Sequence, residues 1–156
     1  MKPQSIVFAV LAVTIAAACS SGGDETQPEL DGDSASETTR SAEAGGVTVD
    51  ATWLTAGDEA ASTPEFQEYP LDRFVLIEIT FTTHSGDLRT IEMEGASSLT
   101  QGTSVLRPQA WVETSDDSHH RAGVLVFPGE LGEGAVELAL DLGEDALSLR
   151  WERPPA

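Results

Sequence analysis

Three histidines are the side chains of this 156-residue chain whose types and spacing most directly suggest chemistry. His84 follows an apolar, β-branched run that ends at Thr83, and a short polar turn comes after it. His119 and His120 follow the polar stretch 114–118 and precede a second apolar run. Three imidazoles from two loops could hold Cu²⁺ or Zn²⁺ and leave one coordination position open to water or to a partner's ligand.

Charged side chains accompany these histidines in the sequence. Asp87, Asp116 and Asp117 could supply a fourth ligand or could orient the imidazoles through hydrogen bonds. Arg121 adjoins the histidine pair and could also help to orient the ligands of such a site; the alternative is an ion pair with Asp87 or Asp116. The alternative is that the histidines are ordinary solvated loop residues, since their spacing matches no compact metal-ligand motif.

Short strands must position these loops, because the chain after residue 45 alternates between apolar and polar residues. We expect the side chains of Val75, Ile77, Ile79 and Phe81 to share one face of a strand. Seven such segments divided by Gly, Pro, Asp and Ser predict an all-β fold, an antiparallel immunoglobulin-like sandwich, with a small barrel as the alternative. The segments are 47–53, 72–83, 88–94, 105–113, 121–127, 135–142 and 147–151.

The same alternation also leads to expectations for the longest break between strands and for the tryptophans. The longest interruption, residues 55–70, is polar and predicts a loop or a short helix. Trp53, Trp111 and Trp151 lie within apolar alternation, so they are expected to anchor a core rather than to stack on a sugar.

The start of the chain has the pattern of an export signal. Lys2 precedes an apolar run that is about as long as a secretory signal core and too short for a comfortable membrane span. The run ends in Ile15-Ala16-Ala17-Ala18-Cys19, which resembles the lipobox of bacterial lipoproteins. The resemblance implies a signal peptide over residues 1–18, cleavage before Cys19 and a diacylglycerol on its sulfur, which would anchor the protein in the cell envelope on the extracytoplasmic side.

Residues 19–45 contain the lipidated cysteine and a stretch rich in Ser, Gly, Thr and acidic residues, with Leu30 as its one large apolar side chain. Such a stretch cannot bury enough surface to offset the entropy of ordering it. We therefore expect a disordered acidic tether here and a folded domain over residues 46–156.

Short motifs within residues 47–153 suggest a relationship as well. They are Thr83-His84-Ser85, Trp111, His119-His120-Arg121, the Gly123, Leu125 and Phe127 alternation, and Arg150-Trp151-Glu152. In these motifs the chain resembles a group of small secreted bacterial β-sandwich proteins. The resemblance implies a sandwich fold and a site at the histidine loops, but no particular reaction.

Charge and motif content limit the function. Eight basic and 27 acidic residues give a net charge of −19, which excludes general nucleic-acid binding because that requires clustered Lys and Arg. No phosphate loop, dinucleotide fingerprint or G-x-S-x-G elbow occurs, so we do not expect an enzyme. The sequence thus predicts an anchored binding module, with Cu or Zn bound by the three histidines. The alternative is an adhesion or envelope-assembly module that binds protein or glycan without metal.

Overall fold

A computed structural model describes residues 37–152 and shows two antiparallel sheets with little helix. One sheet has five strands in the order β1-β2-β3-β7-β6, and the other has four in the order β5-β4-β8-β9. The expected all-β architecture with two sheets is confirmed. The strands are β1 Thr39–Ala44, β2 Val47–Trp53, β3 Phe74–Thr83, β4 Ser97–Gln101, β5 Ser104–Leu106, β6 Ala110–Asp116, β7 His120–Pro128, β8 Val136–Asp141 and β9 Ala146–Trp151.

The main core lies between the sheets and follows the alternation of the strands. Val75, Ile77, Ile79 and Phe81 all belong to it, as the period of two predicted. Strands β4, β8 and β9 supply the opposite wall, and the indole of Trp151 is completely buried there. Trp53 packs edge-on against that ring with the centroids 5.5 Å apart, so both tryptophans are core anchors as expected.

A second apolar cluster covers the outer face of the five-stranded sheet. Leu76 of β3 and Val124 and Val126 of β7 point outward, and the segment 54–73 packs over them through Leu54 and Phe66. That segment contains two 3₁₀ turns, Ala60–Ser62 and Pro64–Phe66, as the sequence indicated for this interruption. The cover explains why β3 and β7 carry apolar residues on both faces.

The folded region begins earlier than predicted. Strand β1 lies inside the range 19–45 that composition assigned to a disordered tether, and it pairs with β2 from Thr39↔Thr52 to Ala44↔Val47. Gly45 and Gly46, with φ of 59° and 75°, form the tight turn between the two strands. Composition missed β1 because its stabilisation comes from backbone pairing and from contacts with distant residues, not from large apolar side chains.

The strand expected over 88–94 is wrong. The chain instead forms a 3₁₀ turn, Leu88–Thr90, and a single helical turn, α1, Met93–Ala96. Asp87 begins the first turn by accepting a hydrogen bond from the Arg89 backbone N–H, and Leu88 and Met93 fill the core from these turns. The expected strand 105–113 is divided into β5 and β6, and β4 was not predicted.

The predicted signal peptide, residues 1–18, and Cys19 lie outside the described residues, as does most of the predicted tether. Within residues 37–152, no helix is both long and apolar enough to span a membrane.

Candidate functional site

The loop after β3 and the turn before β7 lie side by side at one end of the sandwich. The Thr83 N–H donates to the His119 carbonyl at 3.0 Å, and the Leu88 N–H donates to the Ser118 carbonyl at 3.0 Å. We call this end, formed by residues 84–92 and 117–120, the histidine pole. It brings the backbone of His84 and that of His119 into the same small region of the surface.

The turn that carries His119 and His120 is organised by Asp117. Both histidine backbone N–H groups donate to Asp117 Oδ1, at 2.8 and 3.1 Å. These hydrogen bonds favour the ionised carboxylate and so lower the pKa of Asp117. The imidazoles themselves remain exposed, and Nδ1 of His120 lies 3.4 Å from Oγ1 of Thr82 on the neighbouring strand.

Asp87 is bound by Arg89 and not by Arg121. Its two carboxylate oxygens accept from Nε and Nη2 of Arg89 at 2.9 and 2.7 Å. The side-chain hydrogen bond to Arg89, supported by the backbone N–H of the same residue, lowers the pKa of Asp87 to about 2. Both side chains are well exposed, so this pair orders the loop but adds little to global stability.

Arg121 occupies a different position from the one predicted. Its side chain is only 8% exposed, and Nε donates to Oε1 of Glu113 at 2.6 Å instead of pairing with Asp87 or Asp116. Its Nη1 donates to the backbone carbonyls of Leu88 and Ile91. The reason is the strand direction, because Arg121 sits opposite Phe81 and therefore points toward the interior.

The guanidinium of Arg121 also lies over the indole of Trp111, 5.5 Å from the ring centroid. Arg121 thereby ties β6, β7 and the 3₁₀ turn together beneath the histidine pole. It is thus a residue that holds the loop of His84 in place rather than one that reaches a ligand.

Ligand geometry at the histidine pole is less complete than the sequence suggested. Within the described part of the chain, no three His, Cys, Asp or Glu side chains are arranged to hold a metal ion. His84, His119 and His120 are all exposed, while Asp87 and Asp117 already accept hydrogen bonds from their own loops. A shared metal would therefore require these side chains to adopt a different arrangement.

Sequence reasoning missed a cleft at the opposite end of the sandwich. It has a volume of about 420 Å³ and is formed by residues 53–56, 71–75 and 129–131. Only the polar interruption 55–70 after an apolar strand gave a signal for it, because the walls come from three segments that are distant in the sequence.

Comparison of the chain with protein-family models, with curated proteins and with solved structures finds no match. What the chain binds therefore has to be inferred from its own residues.

Proposed function

We propose that the chain is a bacterial lipoprotein, anchored through a diacylglycerol on Cys19 and acting as a binding module on the extracytoplasmic side of the cell envelope. The lipobox resemblance at Ile15–Cys19 supports the anchor. The compact domain over the described residues supports a binding role, because loops at the ends of a rigid sandwich are common recognition surfaces.

The topology supports an immunoglobulin-like class for this domain. In immunoglobulin domains, strands A, B, E and D form one sheet and C, F and G the other, with C′ added beside C in some members. Taking β2 as A, the observed orders β2-β3-β7-β6 and β5-β4-β8-β9 correspond to A-B-E-D and C′-C-F-G. Strand β1 is then an addition at the edge beside A.

One observation carries the proposed role of the histidine pole. The Thr38 carbonyl accepts hydrogen bonds from the Trp53 backbone N–H at 3.0 Å and from Nε1 of Trp151 at 2.9 Å. Trp53 pairs with Ile77, whereas Thr83, next to His84, pairs with Val47 at the other end of β2. The described chain thus begins at the end of the domain opposite the histidine pole, and an anchor on the amino-terminal side favours a partner at the far pole.

Two kinds of partner fit this pole. A Cu or Zn ion on His84, His119 and His120 is favoured by the hydrogen bond that joins the two histidine loops. A protein or glycan of the envelope is favoured by the exposure of the imidazoles and by the lack of a three-ligand arrangement within residues 37–152. In the second case the protein is an adhesion or envelope-assembly module.

Metabolic labelling with a palmitate analogue tests the anchor. The full chain should incorporate label, and Cys19→Ser should abolish both the label and the cleavage before residue 19. A chain that carries no label, or that keeps it after Cys19→Ser, would refute the lipoprotein proposal.

Calorimetric titration of the chelator-treated chain with Cu²⁺ and Zn²⁺ separates the two partners. A metal site predicts affinity tighter than micromolar, lost in His84→Ala and in His119→Ala/His120→Ala but kept in Glu133→Gln, which alters a carboxylate remote from the histidines. Equal binding by His84→Ala and the parent chain would reject the metal. If the protein is instead an adhesion or envelope-assembly module, it should capture an envelope partner, and this binding should persist in the presence of chelator and after substitution of all three histidines.

A further inference from the structure

The cleft opposite the histidine pole lies where the two apolar clusters of the domain meet. Trp53 and Val75, on one side, belong to the main core between the sheets. Leu54, Leu71 and Phe74, on the other side, belong to the cluster under the segment 54–73. A volume of about 420 Å³ is within the usual range for small-molecule sites.

The wall of this cleft has more apolar than polar surface, and the fold holds it in place. Leu131, which follows β7, packs against the main core and closes the third side. The Leu54 N–H donates to the Leu76 carbonyl, and the Gly129 N–H donates to the Arg73 carbonyl. The three wall segments are therefore attached to the sheet at each side of the opening, so the cleft exists before a ligand binds.

Several hydrogen-bond donors in the lining of the cleft already have partners within the domain. Both the backbone N–H and the hydroxyl of Thr55 donate to Oδ2 of Asp58. The N–H groups of Trp53 and Phe74 donate to the carbonyls of Thr38 and Pro70. These four donors are therefore not available to an acceptor group on a ligand.

The ionisable groups of the lining are two carboxylates, Asp72 and Glu130, both on exposed residues. Neither has a hydrogen-bond or ion-pair partner among the residues the structure describes. Arg73, next to Asp72, places its guanidinium 5.9 Å from the centroid of the Phe74 ring, so one positive charge also lies beside the cleft. The two carboxylates outnumber it, and the local charge is therefore negative. The complementary ligand is a hydrogen-bond donor with positive charge.

We propose that this cleft binds a small organic cation, an amine or ammonium group on a hydrocarbon body. The hydrocarbon contacts Leu54, Leu71 and Leu131, and the cationic group lies at the rim beside Asp72 and Glu130. This site is independent of the histidine pole and of whatever binds there.

Three probes of similar length and shape test the proposal on the full chain in dodecyl maltoside, with detergent alone as the blank. They are hexylamine, 1-hexanol and hexanoate at pH 7, followed by the indole N–H signal of Trp53 in a heteronuclear NMR titration. The expected order of affinity is hexylamine, then hexanol, then hexanoate. The amine should bind roughly 3–10-fold more tightly than the alcohol, since two exposed charge contacts contribute modestly.

Substitutions inside and outside the cleft test whether the amine binds there. Asp72→Asn/Glu130→Gln should reduce hexylamine affinity to that of hexanol and leave hexanol binding unchanged. Glu133→Gln/Glu137→Gln makes the same change in net charge at carboxylates that line a different surface, and it should have no effect. Leu131→Arg, which inserts charge and bulk, should abolish binding of both ligands while the spectrum outside the cleft is kept.

Three results would overturn the proposal. The first is equal affinity for hexylamine and hexanol, which would make the cleft a purely apolar site. The second is an equal loss of amine binding in the Glu133→Gln/Glu137→Gln control, which would indicate a general effect of charge. The third is Ca²⁺ binding at Asp72 and Glu130 with no amine binding, which would identify an inorganic cation site instead.

Discussion

Arg121 and Glu113 form an ion pair across the β6–β7 hairpin, with Nε and Oε1 separated by 2.6 Å. The same guanidinium supplies Nη1 to the carbonyls of Leu88, at 2.9 Å, and Ile91, at 2.7 Å. One buried cation thus satisfies backbone groups of a turn that has no strand partner, and it does so directly below the loops of the histidine pole.

Replacing Arg121 should destabilise the domain. Arg121→Met leaves the Ile91 carbonyl without its donor, while the Leu88 carbonyl keeps the Ile91 N–H and the Glu113 carboxylate keeps the Trp111 indole N–H. We therefore expect a loss of roughly 1–3 kcal/mol in the free energy of unfolding. Arg121→Lys keeps the charge but cannot reach three acceptors, and its loss should be smaller. Urea unfolding measures both, and Arg89→Met, which removes an exposed arginine, is the control. A loss below about 0.5 kcal/mol in Arg121→Met would contradict the structural role.

Gly123 of β7 should tolerate no side chain, because Trp111 lies against its Cα. A Cβ there would come within 2.5 Å of Cζ2 of the indole and 2.6 Å of the Val112 carbonyl oxygen. Gly123→Ala is therefore expected to cost roughly 1–3 kcal/mol in urea unfolding. Gly95→Ala is the matched control, since a Cβ at that position of α1 meets nothing within 4 Å. Equal stability of the two variants would show that the indole moves aside freely.

The faces of the central strands could be predicted from sequence, whereas the partners of individual polar groups could not. Every second residue from Val75 to Phe81 packs in the main core, so apolar residues recur there with a period of two that can be recognised in the sequence. The partner of Arg121 is instead set by the β6–β7 register, which shifts between Glu113 and Ser115. Ile91 and Met93 follow the period of two that predicted a strand, yet the carbonyls of Leu88 and Ile91 bind Arg121, about thirty positions away.

For the histidines too, the sequence predicts their place in the fold but not the contacts of their side chains. Turn residues after β3 and before β7 predict that His84 and His119 lie at strand ends. The direction of each imidazole depends on side-chain torsions that alternation does not encode. Sequence could therefore indicate the end of the sandwich but not a set of metal ligands.

Strand β1 should be required for full stability, contrary to the boundary at Gly46 expected from composition. A chain beginning at Gly46 lacks the Thr38 carbonyl, so Nε1 of the fully buried Trp151 loses its acceptor. We expect at least about 1–3 kcal/mol lower stability than for a chain beginning at Glu37, by thermal and urea unfolding. If the two chains unfold indistinguishably, the domain begins at residue 46, as composition predicted.

The Asp87–Arg89 pair should be visible in the titration of the loop that follows His84. The ionised form of Asp87 is favoured, with its pKa lowered from 3.8 to about 2 by Arg89. Because the pKa is lowered on folding, the pair stabilises the loop at pH values above 3.8, and this contribution is lost as the pH falls through about 2.

In NMR titrations of the side-chain carboxyl carbon, Arg89→Gln should raise the pKa of Asp87 toward its ordinary value. The return should be incomplete, because the backbone N–H at position 89 still donates to the carboxylate. Arg73→Gln removes an arginine from the opposite end of β3 and should leave the Asp87 titration unchanged. If Asp87 titrates near its ordinary pKa in the parent chain, the ion pair with Arg89 is refuted. The lowered pKa depends on this contact between two exposed side chains.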